Sequence, residues 1–276
     1  MSLFDLFGRS GARAYRPKPG TAGAAAMGLI RWMDSVIFMV IHDFGDRYRQ
    51  SKLSAFFTVF EPVGLITVLS LAQVVIGGGS LWQDALFHTT GILPYYLFFH
   101  VTLRIRASDV SRLPPRVTRF DQFLSHILSE LIAKSAIAAL MFSFFAIMKT
   151  ANAIPFNISA IVPPLLLLCV MGVGVGMINI FIGHFFSGWT YIYAIVARGM
   201  MALSGVLIRP DMMPVQLKHF VVWDPLFQAI TWFRSGCYPG YPTDLLHPDF
   251  LIYSVFGILG VGVLLDASVR EVRYTR

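Results

Sequence analysis

Long apolar blocks alternate along this chain with short polar segments, and each block approaches the length needed to cross a lipid bilayer. A crossing helix takes about 20 mostly apolar residues. Six blocks qualify: Ala55–Ile76, ended by Gly77-Gly78-Gly79; Ala85–Leu103, stopped by Arg104 and Arg106; Phe123–Met148, with Lys134 inside; Ile158–Phe181, after a turn around Pro155; Trp189–Ile208, with Arg198 inside; and a shorter one, Phe250–Leu265. Between the fifth and sixth, residues 209–247 hold Pro210, Pro214, Pro225, Pro239 and Pro242, too many breaks for one span.

A different periodicity precedes the first block. Ile30, Met33, Ile37, Val40 or Ile41, Phe44 and Tyr48 recur at three- and four-residue steps, and Arg31, Asp34, Asp43, Asp46, Arg47 and Arg49 fill the other face. This is the pattern of an amphipathic helix lying in the membrane interface. A helix packed on a partner protein has the same pattern. Residues 1–26 carry Arg9, Arg13, Arg16 and Lys18 without the apolar stretch of a cleavable signal, so a disordered tail is expected there.

The expected fold class is thus an all-α membrane protein: a tail (1–26), an interface helix (27–54), a six-helix transmembrane domain (55–269) and a second tail (270–276). Composition agrees. Of 276 residues, 56% are hydrophobic and only 13% charged, where soluble domains average about 25% charged. Mean hydropathy is +0.66. With six crossings, sixteen of the 22 Lys and Arg fall on one side and four on the other, with two inside spans. By the positive-inside rule both tails are then cytoplasmic. The net charge of +7 sits beside apolar runs rather than on a polar domain, which speaks for membrane orientation and against nucleic acid.

The chain offers little chemistry. There is no G-x-x-x-x-G-K-[ST] to cradle a nucleotide. Gly172, Gly174 and Gly176 lie inside an apolar block, where Gly172 and Gly176, four apart, suit close helix packing. Cys169 and Cys237 suggest neither a disulfide framework nor a metal site, and the seven histidines are scattered without ligand spacing. No catalytic residues and no metal are expected. Energy for uphill transport would come from a partner.

A set of short motifs then suggests a family. Asp46-Arg47-Tyr48-Arg49-Gln50-Ser51-Lys52-Leu53 is followed by Glu61-Pro62; Gly91-Ile92-Leu93-Pro94-Tyr95 comes next, then Leu203-Ser204-Gly205-Val206, then Asp224-Pro225-Leu226 with Trp232-Phe233-Arg234-Ser235-Gly236-Cys237-Tyr238. In order and spacing these resemble ABC-2-type permeases of the polysaccharide (capsule and O-antigen) export family, over about residues 30–272. Asp46 and the Ser54-Ala55 pair depart from the usual pattern.

The resemblance implies a homodimer in the bacterial inner membrane, working with two ATPase subunits that bind ATP and Mg, so that this chain needs no cofactor. It implies a polysaccharide substrate, lipid-linked and in one branch acidic, and further periplasmic or outer-membrane export proteins. The segment with Ser108, Asp109, Arg112, Leu113, Pro114 and Arg116 corresponds to the region that docks on the ATPase; a basic loop held near anionic lipid is the plainer reading. Arg47, Tyr48, Arg49 and Lys52 belong to the interface helix. Short re-entrant or periplasmic helices are implied between the fifth and sixth spans. Glu61, Arg198, Trp223, Trp232, Arg234, Tyr238 and Tyr241 are the candidates for the translocation path. For Arg198 the alternative is a pair with Glu61 or Glu130, and for the aromatic residues an interface belt. A permease for a small lipid or drug, and a membrane scaffold or enzyme, are the other functional classes.

Overall fold

The computed structural model describes residues 32–45, 52–107, 118–207 and 213–274, with the backbone alone described at 52–59, 215 and 269–274. Among them all regular structure is helical. The helices are α1 (32–45), α2 (Lys52–Gly77), α3 (Leu81–Ala107), α4 (Arg119–Ile147), α5 (Ile158–Phe185), α6 (Trp189–Leu203), α7 (Val215–Val221), α8 (Pro225–Cys237) and α9 (Pro248–Tyr274).

Local chemistry sets the boundaries. Thr118 and Asp121 form a reciprocal capping box at the start of α4. Asn157 caps α5 by accepting from the Ser159 amide. Asp224 caps α8, with Pro225 in the first turn where its missing N–H costs nothing. After α2 the chain turns through Gly78 at φ 66°.

Four segments are long and apolar enough to cross a membrane: Phe60–Gly77, Arg119–Ile147, Ile158–Phe185 and Pro248–Ser268. The expected second and fifth spans fall in α3 and α6, outside that set, for two different reasons. α3 is 27 residues long but carries buried Asp84, His88, Thr89, Thr90 and Thr102. It lies against α2, α4, α5 and α8, so protein rather than lipid surrounds it. Its threonines turn back on their own helix, Thr89 donating to the Ala85 carbonyl (2.7 Å) and Thr102 to that of Phe98 (2.9 Å). α6 has only 15 residues, about 22 Å of helix against about 30 Å of hydrocarbon. It stops at Leu203, before the expected Ile208, because the chain turns at Gly205 (φ 71°), where a Cβ would stand 2.8 Å from the Phe227 ring.

α5 is the second central element, packed on α3, α8 and α9. The pair Gly172 and Gly176 faces α3: a Cβ on Gly176 would lie 2.6 Å from Cβ of Ile105. Gly174 looks the other way, toward α9, where a Cβ on Gly262 would lie 2.6 Å from the Gly174 carbonyl oxygen. Backbones therefore meet on two sides of one helix, as small residues permit in membranes. The core joins Ile92 and Phe98 of α3, Leu168 of α5, Ile230 of α8 and Leu251 of α9. Val68 and Val75 of α2, Leu140 of α4, Ile195 of α6 and Leu264 of α9 point outward.

α1 exposes Met33, Ile37, Phe38 and Ile41 and buries Val36. Asp43, expected on a solvated face, instead turns into the bundle and bonds Arg104.

Candidate functional site

At one end of the bundle, charged side chains from four helices meet. Arg104, near the end of α3, donates from Nη1 to Asp43 of α1 (2.7 Å), and its Nε stands 3.5 Å from Glu130 of α4. His100 approaches the other Glu130 oxygen at 3.6 Å, and His126 approaches Asp43 at 3.7 Å. Ser129 completes the Asp43 cage with a 2.7 Å bond. Trp32 of α1 donates to Asp121 in the first turn of α4 (2.6 Å), and Arg119 beside it bonds both oxygens of Asp266 on α9 (2.7 and 2.8 Å). Arg106 bonds Thr190 in the first turn of α6. The start of α1, the end of α3, the starts of α4 and α6 and the last third of α9 thus share one end. Two of the seven histidines that look scattered in sequence, His100 and His126, come together here on carboxylates. Among the described residues no group of three or more His, Cys, Asp or Glu is arranged to hold a metal ion.

Further along α3, Tyr95 and Tyr96 link three helices. The Tyr95 hydroxyl donates to the Ala197 carbonyl of α6 (2.6 Å), and that of Tyr96 to Glu61 of α2 (3.1 Å). Arg198 follows Ala197 directly in α6. It makes no ion pair among the described residues, while Glu130, one of its two candidate partners, is engaged by Arg104 and His100. Glu61 and Arg198 are both exposed, Glu61 as the acceptor of Tyr96 and Arg198 as the neighbour in sequence of the Ala197 that accepts from Tyr95. Tyr95, Phe99 and Tyr193 continue as a near-parallel stack. Lys134 of α4, to which the sequence assigns no role, is buried with Nζ 5.7 Å from the Tyr96 ring centre.

At the opposite end lies Arg234, only 1% exposed. Its guanidinium sits 3.8 Å over the Phe87 ring. It donates to the carbonyls of Gly205 (2.7 Å), Val206 (3.2 Å) and Phe87 (3.2 Å), and at 3.4 Å to the Thr90 hydroxyl. Among the described residues no carboxylate pairs with it. Thr90 also meets the Tyr238 hydroxyl at 3.1 Å, and Tyr238 stacks on Tyr241. Trp232 packs at the edge of the core from the same helix. Trp223 is apart from them, exposed and edge-on to Phe250. Asp224 caps α8 and accepts from Ser204 (2.6 Å). Burial pushes its carboxyl pKa up, against the opposing pull of Ser204 and the amides of Leu226 and Phe227.

The candidates therefore fall into three groups: Glu61 with Arg198, then Arg234 with Tyr238, Tyr241 and Trp232, and Trp223 alone. Ser108, Asp109, Arg112, Leu113, Pro114, Arg116, Arg47, Tyr48 and Arg49 lie outside the described residues, and Lys52 only opens the backbone of α2. Thr90, Tyr96 and Asp266 escape the sequence reading, and Tyr95 and Asp43 enter it only as a motif residue and a polar-face residue, without their partners. The one available signal is polarity inside apolar blocks, which marks Thr90 and the tyrosines but not their partners.

No family model matches the chain. It is similar to the capsule polysaccharide export inner-membrane protein CtrC of Neisseria meningitidis serogroup A, with 23% identity over 193 residues, 69% of this chain and 67% of that protein. It is similar to the polysialic acid transport protein KpsM of Escherichia coli, with 20% identity over 244 residues, 86% of this chain and 94% of that protein. A second Escherichia coli KpsM matches at 21% over 193 residues, 68% of this chain and 74% of that protein. The motif order along 30–272 and these similarities, which reach 86% of the chain, point the same way: the chain is similar to a capsule polysaccharide export inner-membrane protein and to polysialic acid transport proteins.

Proposed function

We propose that this chain is the membrane-spanning subunit of an ATP-driven exporter that carries a polysaccharide across the inner membrane. The observation that carries this is the similarity to a polysialic acid transport protein along 86% of the chain and 94% of the relative. The all-helical bundle with four strongly apolar crossing segments supports it. So does the lack of a nucleotide-binding motif in the sequence, which leaves ATP and Mg to a partner.

In this reading α2, α3, α4, α5, α6 and α9 make six crossings, with α7 and α8 as short helices at the periplasmic side. The ties Trp32–Asp121 and Arg119–Asp266 favour an even count, because they hold α1 and the last third of α9 at one end. The basic residues of that end favour a cytoplasmic side for it. Two copies of the chain assemble with two ATPase subunits, which dock on 108–117, and α1 with Arg47, Tyr48, Arg49 and Lys52 rides the interface. Glu61, Arg198 and the aromatic residues from Trp223 to Tyr241 flank the route of the polymer, which is lipid-linked and, given the cationic Arg198, tolerates acidic sugars. Export proteins of the periplasm and outer membrane receive it.

Deleting the chain tests the reading. The expected outcome is polysaccharide trapped inside the cell, with a tagged chain co-purifying an ATPase and a reporter fused after Arg276 reading as cytoplasmic. A surface coat unaffected by the deletion overturns the proposal.

A further inference from the structure

Resting on that reading, the geometry points to Arg119 and Asp266 as a positioning pair: the strut through which movement of the ATPase-docking segment reaches α9 and, through it, α5.

Four observations carry this. Arg119 is the first residue of α4, one position after the Thr118 cap, and so stands directly behind 108–117 in the chain. The first turn of α4 is stiff: Thr118 N–H donates to Asp121 (2.8 Å) and Asp121 N–H donates back to the Thr118 hydroxyl (3.2 Å). A displacement entering at residue 118 therefore moves the turn as a unit.

The pair itself is short and sheltered. A single nitrogen, Nη1, serves both carboxylate oxygens at 2.7 and 2.8 Å, and the side chains are 18% and 4% exposed. Sheltered pairs are screened less by salt and water than open ones. The other stem of the segment is held more loosely, since Arg104 is 31% exposed and Arg106 meets Thr190 at the surface.

Beyond Asp266 the contact has no slack. Gly262 lies four residues earlier, on the same face of α9. There the α9 backbone meets the Gly174 carbonyl of α5 so closely that no Cβ fits. At its start, α5 in turn presses on α8, where a Cβ on Gly236 would stand 2.9 Å from the Asn157 carbonyl oxygen. A chain of close contacts thus leads from the α4 cap to the helix that bears Arg234.

The measurement separates coupling from assembly. The full complex is made in the producing cell, and three quantities are read: ATPase co-purified with the chain, ATP turnover of the purified complex, and polysaccharide at the cell surface. Asp266→Asn is expected to keep co-purification and to hold turnover within about twofold while surface polysaccharide falls about tenfold. Arg119→Gln should behave alike. Arg119→Lys should stay within about threefold of the parent in export, because one nitrogen makes both bonds and an ammonium can replace it.

Normal export by Asp266→Asn or Arg119→Gln overturns the strut. So does a parallel fall of co-purification, turnover and export in Gln and Lys variants alike, which marks a pair that only holds the fold. A parent chain that brings down no ATPase overturns the exporter reading itself, a failure visible before any variant is made.

Discussion

The two ends of the bundle both hold arginine between helices, partly exposed at one end and buried at the other, and they stabilise it by different means. At the end shared by α1, α4 and α9, Arg104 and Arg119 are met by the carboxylates of Asp43, Glu130 and Asp266. At the other, Arg234 is met by three carbonyls, a hydroxyl and a ring face. The first solution neutralises charge and suits a region where salt and water can enter. The second keeps a whole positive charge in the interior and spreads it over backbone dipoles from α3 and from the turn after α6. An ion pair ties two side chains; a guanidinium fan ties several stretches of backbone at once. The carbonyl-bound end should therefore be the more demanding of its arginine.

The strongest way to break that contrast is Arg234→Met. It keeps an unbranched apolar stem, shorter than that of Arg, and removes every donor, leaving the carbonyls of Gly205, Val206 and Phe87 buried without their partner. Each orphaned acceptor carries a desolvation penalty, and the set should cost about 3–5 kcal/mol. Thermal unfolding of the purified protein in detergent measures it. A melting temperature equal to that of the parent would mean that the fan of bonds contributes nothing net.

A smaller effect is expected from Gly91→Ala. The new methyl would stand 2.5 Å from Arg234 Nη2 and 3.1 Å from the Val206 Cα. The backbone cannot yield cheaply, so Arg234 must shift off its acceptors. Overpacking of this kind costs about 1–3 kcal/mol, read by the same unfolding measurement. Arg234→Met in the same chain should reduce the penalty, because the clash and the bonds it disturbs share one side chain.

How much of this is legible without coordinates depends on how far apart the partners lie in the chain. Helix ends are local: Thr118 with Asp121, Asn157 with Ser159 and Asp224 with Pro225 announce the starts of α4, α5 and α8. The prolines between 209 and 247 exclude a single span there. Gly172 and Gly176 announce close packing, though nothing in the spacing tells that Gly174 serves a second helix on the opposite side. The last block, Phe250–Leu265, is short enough in sequence to invite extension at either end, and α9 runs from Pro248 through Asp266 to Tyr274. The charge is admitted by Arg119, 147 residues earlier in the chain. Arg234 reads as a candidate for the translocation path for the same reason: its acceptors are 28 to 147 residues away. Polarity in α3 lowers its hydropathy and marks it as a helix wrapped by protein, a signal present in the sequence that block length alone does not use.

The mildest test lies at the ionic end, and its argument depends on what remains after the change. Asp43→Asn removes the charge that faces Arg104 and His126 but keeps an oxygen able to accept from Ser129 or from Arg104. Arg104 is not stranded, because Glu130 still stands 3.5 Å away and about a third of its side chain meets solvent. Partly exposed pairs contribute little, so the loss should be about 1 kcal/mol or less. It should also shrink as salt is raised, since screening weakens the parent pair and leaves the neutral variant untouched. The Arg234→Met penalty should not change with salt. Measuring both variants at low and high ionic strength sets the two modes of stabilisation side by side, and an equal salt response at the two ends would remove the distinction between them.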